Sequence, residues 1–437
     1  MSEFPLSPIG EVATVRSGYA FKSSDWKGSG TPVVKIANVK SGRLNMDGCS
    51  FVDDAVARDA HEFRLAKGDI LIAMTGYIGE VAVVRDSDLP ALLNQRVGRF
   101  SIRDAGRLDR RFLYYVITSP NIRQEIEGLG YGSAQPNVSP SLIQSVKVPI
   151  PAIQCQRAIA SVLGALDDKI ELNRQMNETL EATARAIFKD WFVDFGPTRA
   201  KMAMRGEDPQ KEGVARAPYL AMDIWSLFPD RLDDEGKPEG WRLGTLGDVA
   251  QQVGESVKPE ALDPGTPYIG LEHMPRKSIA LSDWDGADKV SSGKLAFRKG
   301  DFLFGKLRPY FHKVGIAPVD GICSTDIVVL NSRKREAAAF VLACISQDEF
   351  VAFTDRTSDG TKMPRTSWGR MERYSLCIPN QTVLKSFNEC IEPMLERIVA
   401  NIHESRTLAA LRDCLLPKLM SGEIRVRDAE KHVERAT

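Results

Sequence analysis

Asp230, Glu235 and Lys237, in Pro229-Asp230 and Glu235-Gly236-Lys237, are the residue types with which a nuclease holds a divalent metal over a phosphate. They lie in a turn-rich stretch with no apolar strand to aim both acids at one ion. Asp263-Pro264-Gly265-Thr266-Pro267-Tyr268 has the residue types of an amino-methyltransferase loop. No Gly-rich strand–turn–helix for a cofactor accompanies it. Gly128-Leu129-Gly130-Tyr131-Gly132 follows a helical pattern and not a strand, so it is no dinucleotide fingerprint, and no Gly-x-x-x-x-Gly-Lys-Ser/Thr occurs. The five histidines (61, 273, 312, 403, 432) are dispersed, with no nucleophile beside them. The seven cysteines (49, 155, 323, 344, 377, 390, 414) form no Cys-x-x-Cys and no Cys/His cluster of zinc spacing. The expectation is no catalytic residue, no metal, and reduced, packed thiols of a cytoplasmic protein.

What remains suits binding. Asn94, Gln95 and Arg96 are the side-chain types that make paired hydrogen bonds to adenine and guanine edges. They open the Arg-rich stretch that continues through Arg99, Arg103, Arg107, Arg110 and Arg111. Thr75 and Tyr77 follow the apolar run Ile70–Ala73, and the loop 131–140 offers Ser133, Gln135 and Asn137. Further on, Lys306, Arg308, Tyr310, His312 and Lys313 interleave cations with aromatics, and Lys362, Arg365 and Arg370 follow. A charge run alone is usually a solvated face. Here the runs recur at matched places, and that recurrence favours a ligand, double-stranded DNA.

The recurrence is a duplication. Pro5–Ala13 reads like Arg242–Ala250, and Ala66–Ile72 like Arg298–Phe304. Gly132-Ser133-Ala134-Gln135-Pro136 answers Gly360-Thr361-Lys362-Met363-Pro364, and Val146–Pro149 answers Leu376–Pro379. The four matches keep one order at a spacing of roughly 230 residues. Each copy holds short apolar runs punctuated by Gly, Asp and Pro, a helical stretch near Arg110–Glu127 in the first, and a closing strand. That is an α+β globule. A length of 437 residues suits two such cores, and 43% hydrophobic residues suffice to fill them. Lys+Arg and Asp+Glu are both 58, so any basic surface is local. There is no leader pattern, and no stretch approaches the about eighteen apolar residues of a membrane span.

A long helical segment follows each globule. Ile159, Leu163, Leu166, Ile170, Leu180, Ala184, Ile187 and Trp191 make one stripe, with Asn173 and Asn177 placed in it to fix register. Phe387, Ile391, Met394, Ile398, Ile402, Leu408, Leu411 and Leu415 make the other, and Pro393 should kink or restart that helix. About 40 residues at ~1.5 Å each reach up to roughly 60 Å. If the seams pair, chain order makes the helices antiparallel, coiled-coil-like and related by a pseudo-two-fold axis. The expected division is 1–150 and 241–380 for the recognition globules, 151–197 and 381–424 for the helices, 198–240 for a linker and 425–437 for a tail. Phe188, Trp191 and Phe192 exceed what a two-helix seam needs, and are read as docking surface for methyltransferase subunits, with contact to the recognition globules as the alternative.

Four stretches then identify a family. Ala186–Pro197 and Leu415–Ile424 close the two helices, Pro238–Asp248 opens the second copy, and Gly305–Ile316 with Gly321–Ile327 fill its middle. Together they resemble the specificity subunit of type I restriction–modification enzymes over nearly the whole chain. The resemblance implies two target-recognition domains, each reading one half of a split DNA site, with helices that set the spacing and dock two modification (methyltransferase) subunits. It also implies restriction (translocase/nuclease) subunits as partners, with S-adenosylmethionine, ATP and magnesium on those partners and none in this chain. The rival readings are a stand-alone two-headed DNA-binding regulator and a coiled-coil scaffold with no DNA role.

Overall fold

The turn Lys67-Gly68-Asp69 shows how the sequence starts its strands. Gly68 has φ +81°, a left-handed conformation that a side chain resists. Asp69 accepts the Ala66 N–H at 2.9 Å, and the Gly68 N–H donates to the Val84 carbonyl at 2.8 Å. The second copy repeats the device. Gly300 has φ +91°, Asp301 accepts the Arg298 N–H at 2.8 Å, and the Gly300 N–H donates to Ala317 at 2.9 Å. The computed structural model describes residues 4–40, 42–130, 136–206, 218–258 and 262–434.

It divides into two compact units, Met1–Lys169 with Thr407–Thr437, and Ile170–Arg406. In the first, β1 (Ala13–Ser17), β2 (Ile70–Ala73), β3 (Val81–Val83) and β4 (Val97–Ile102) form an antiparallel sheet in the order β1-β4-β2-β3. In the second, β5 (Ala250–Val253), β6 (Phe302–Gly305), β7 (Val314–Ile316) and β8 (Ile327–Ser332) repeat that order as β5-β8-β6-β7. All four residues of β2 and of β6 are buried, which explains why those runs are apolar without alternation. Each unit has a second sheet with one parallel pairing, Val33 with Leu92 and Tyr268 with Ile322. Each also closes its first strand on its last, Leu6–Pro8 on Lys147–Pro149 and Arg242–Thr245 on Ser375–Ile378. The duplication is therefore one of topology as well as sequence.

The helical stretch expected near Arg110–Glu127 is two helices, Arg110–Thr118 and Pro120–Gly128. Pro120 at the first helical position starts the second, because its missing N–H has no partner to lose there.

Two long helices, α1 (Ile153–Phe188) and α2 (Gln381–Ser421), contribute to both units. In the first unit α1 is stapled by Gln156, which is fully buried. Its amide accepts from the Asp109 N–H at 2.9 Å and donates to the Arg107 and Pro151 carbonyls at 2.9 and 2.8 Å. About three turns further on, Asp167 accepts from Tyr115 and from Arg412 of α2, both at 2.6 Å. In the second unit Asn173 donates to Glu404 at 2.7 Å and Ser405 at 3.3 Å, and Asn401 donates to Asn177 at 2.8 Å. Rising numbers on α1 thus meet falling numbers on α2, so the pairing is antiparallel.

The expected seam residues Leu163, Leu166, Ile398, Ile402 and Leu408 are buried, as are the polar pins Asn173 and Asn177. Pro393 does not restart α2, which runs unbroken through it. It lies on the exposed side, where water meets the freed carbonyl, while Phe387, Ile391 and Ile398 hold the opposite face. Replacing Asn177 alone by Leu strands the buried Asn401 amide. The expected cost is about 1–3 kcal/mol, read by chemical denaturation, and largely recovered when Asn401→Leu is added.

Phe188, Trp191 and Phe192 are not docking surface. They are 5%, 2% and 6% exposed and sit inside the second unit. Phe192 meets Phe340 and Phe387, each with ring centroids 4.9 Å away, and Trp241 at 5.8 Å. A π-helical turn at Lys189–Val193 ends α1 there, and both Trp191 and Phe192 turn inward from it. The segment read as a linker begins in the same core. Thr198 and Ala200 in the helix Gly196–Arg205 are fully buried, as nearly are Trp225, Phe228 and Trp241. Lys201 donates to the Phe228 carbonyl at 2.6 Å.

Candidate nucleic-acid interface

The main chain builds the same frame at one end of the four-stranded sheet in each unit. In the first, the Met74 N–H donates to the Arg96 carbonyl at 3.1 Å, and the Val138 N–H to the Met74 carbonyl at 2.8 Å. In the second, the Lys306 N–H donates to Asp326 at 2.9 Å, and the Thr366 N–H to Lys306 at 3.0 Å. Next along, Thr75 bridges to Asn137 and Leu307 to Arg365. The turn that enters β4 is closed by Asn94, whose Oδ1 accepts the Arg96 N–H at 3.1 Å. The turn that enters β8 is closed likewise by Ser324, whose Oγ accepts the Asp326 N–H at 3.2 Å. Three chain segments meet at each frame: the end of β2 or β6, the turn before β4 or β8, and residues 136–138 or 364–366.

Most of the sequence candidates converge here. Gln95 and Arg96 form the exposed tip of the first turn. Tyr77, two residues beyond Thr75, is 64% exposed, and Asn137 is exposed with its Oδ1 accepting from the Thr75 hydroxyl at 2.7 Å. Ser133 and Gln135 lie outside the described residues. In the second unit Lys306 and Arg308 leave β6, Tyr310 is half-exposed, and Lys362 lies exposed in a loop closed by two hydrogen bonds between Asp359 and Arg365. Arg308 has φ +51°, and its buried Nε has no hydrogen-bond partner. Strain and an unpaired donor in one residue are features that cluster at functional sites.

Four candidates are corrected. Thr75 is 6% exposed and its hydroxyl donates to Asn137, so it braces the frame. Asn94 is 8% exposed and its carbonyl oxygen is taken by the turn, so it shapes the site. His312 is 6% exposed, held at 3.1 Å by both the Asp348 carboxylate and the Ser346 carbonyl, and burial lowers its pKa. It is a packing histidine. Arg370 donates to the Thr357 carbonyl and to Asp359 at 2.6 Å, so it braces the 357–365 loop from behind.

Sequence reasoning missed Asp326, because an acid is not sought where DNA is expected. Aligning the two copies through Arg96 would have found it. It also missed Arg276, whose guanidinium stacks 4.1 Å over Phe311.

The stretches considered for catalysis are accounted for. Asp230 pairs with Lys201 at 3.0 Å and with Arg205, and the Lys201 contact holds its carboxyl below the usual range. Lys237 pairs instead with Asp233 and Glu235. Among the described residues no group of three or more His, Cys, Asp or Glu is placed to hold a metal, and no single helix is long and apolar enough to cross a membrane. Cys323 and Cys344 are buried, and burial pushes both thiols up to about 12.

Residues 1–182 match the family model described as the type I restriction modification DNA specificity domain. The chain is 26% identical over 370 residues to the MjaIX type I restriction enzyme specificity subunit of Methanocaldococcus jannaschii, covering 83% of this chain and 79% of that one. It is 24% identical over 330 residues to the HindI specificity subunit of Haemophilus influenzae, covering 66% and 71%. The crystal structure of a type I restriction–modification S subunit from M. genitalium shares the fold, with a TM-score of 0.51 at 15% identity over 96% of each chain.

Proposed function

We propose that this chain is a specificity subunit of a type I restriction–modification enzyme, and that each of its two units reads one half of a split, asymmetric duplex site. The observation that carries the proposal is one main-chain frame bearing different side chains. Gln95, Arg96 and Asn137 stand on the first frame, and Thr325, Asp326 and Arg365 on the second. Equal frames place equal backbones against DNA, and unequal side chains choose unequal bases. Each well-made base-edge contact gives about 1–3 kcal/mol of discrimination, and two linked readers add theirs.

The chain itself is non-catalytic in this account. It recruits two methyltransferase subunits, and restriction subunits through them, in the cytoplasm. S-adenosylmethionine, ATP and magnesium belong to those partners. The lengths of α1 and α2 set the unread gap between half-sites. Net neutrality, 58 cations against 58 anions, supports short reading patches over a wide basic groove.

Co-expression tests this. With an adenine methyltransferase subunit from the same host, the chain should form a stable complex that methylates a defined motif. Tight, specific DNA binding by the chain alone, with no complex, would support the stand-alone regulator and contradict the proposal. A complex whose duplex binding shows no salt dependence would leave only a scaffold.

A further inference from the structure

The second unit holds an ion pair that its fold does not require. Arg365 lies 2.8 Å from Asp326, with their side chains 54% and 28% exposed. An exposed pair of this kind contributes little to stability. The first unit makes the point directly, because the same frame forms there with Asn137 and Arg96 at the two positions. No ion pair links those two, yet the turn, the bridge and the strand order are the same. The pair therefore serves something other than folding.

Its surroundings narrow the choice. The Arg365 backbone is pinned from two sides, by hydrogen bonds with Asp359 at 2.9 and 3.0 Å and by the bridge to Leu307. Asp326 is fixed by the Ser324 turn and by its carbonyl, which accepts the Lys306 N–H. A carboxylate beside Lys306, Arg308 and Lys362 weakens attraction to phosphate. It makes sense there only if orientation matters more than charge. A guanidinium held on one nitrogen by a carboxylate keeps its remaining hydrogens in a fixed plane, which is the geometry that recognises the O6 and N7 acceptors of guanine.

We propose that Arg365 is a specificity-determining residue of the second unit, reading one guanine of its half-site, and that Asp326 is its positioning residue. The proposal rests on the DNA-reading function above and names the residue and base class within it. A phosphate contact would be lost uniformly across sequences and would lower the salt slope of binding. A base contact is lost at one position.

The test uses the whole complex, with its methyltransferase subunits, in a host free of other adenine methylation. Methylated motifs are mapped by single-molecule sequencing for wild type, Arg365→Ala and Asp326→Asn. Arg365→Ala should relax one G·C position of one half-site, with selectivity there falling roughly 10- to 100-fold and the other half-site unchanged. Asp326→Asn should relax the same position to a smaller degree, with the melting temperature of the complex unchanged. If Arg365→Ala fails to assemble, Asp326→Asn decides alone. An unaltered motif in Asp326→Asn, or a uniform loss across all sites with a smaller salt slope in either variant, overturns the proposal. A wild-type complex that methylates no split motif would instead overturn the DNA-reading function, a distinguishable result.

Discussion

Exchanging residues 1–150 for the corresponding part of a relative with another target should replace one half of the recognised motif and leave the other half unchanged. The effect is large because a half-site is read by several contacts at once, each of about 1–3 kcal/mol. The exchange must respect how the globule is fastened. Gln156 and Asp167 stay behind on α1 and need the main chain at Arg107 and Asp109 and the hydroxyl of Tyr115 to meet them. Asp109 also caps the helix Arg110–Thr118 by accepting the Phe112 N–H at 3.0 Å, so a donor that keeps Asp109 and a Tyr at 115 should assemble. Mapping of methylated sites reads the result. Changes in both halves would mean that the two units do not read independently.

Phe192→Ala should destabilise the protein by about 3–5 kcal/mol. That is a large share of the ~5–15 kcal/mol that separates folded from unfolded states. The ring packs against Phe188, Trp191, Trp241, Phe340 and Phe387, so its removal opens a cavity where α1 and α2 meet the second globule. Denaturant midpoints check the cost. If the ring were a docking group instead, stability would hold and association with the methyltransferase subunits would fail. The burial of 6% exposed surface predicts the reverse, a less stable chain whose folded fraction still binds.

What the sequence revealed follows from which interactions are local. The seams of α1 and α2 were readable because Leu163, Leu166, Ile398 and Ile402 recur at helical spacing. Asn173 and Asn177 stood out as polar residues on an apolar stripe. The Lys-Gly-Asp turns were readable because Gly68 and Gly300 answer a demand within three residues. Phe188, Trp191 and Phe192 misled because a helix shows which face is apolar and not what covers it. Their cover comes from Phe340 and Phe387, far along the chain. Asn94 misled for a related reason. Its residue type suits adenine, but its amide oxygen is spent on the N–H two residues ahead. Asp326 stayed hidden because its meaning depends on Arg365, and only the paired frames bring those residues together.

The central claim is that this one chain carries two independent readers of unlike half-sites. It is tested most directly by sequencing methylated adenines genome-wide in a host that expresses the complete system. The account predicts a single motif of two different short sequences, separated by a gap of fixed length in which any base is accepted. A continuous motif, or two identical half-sites, would contradict it.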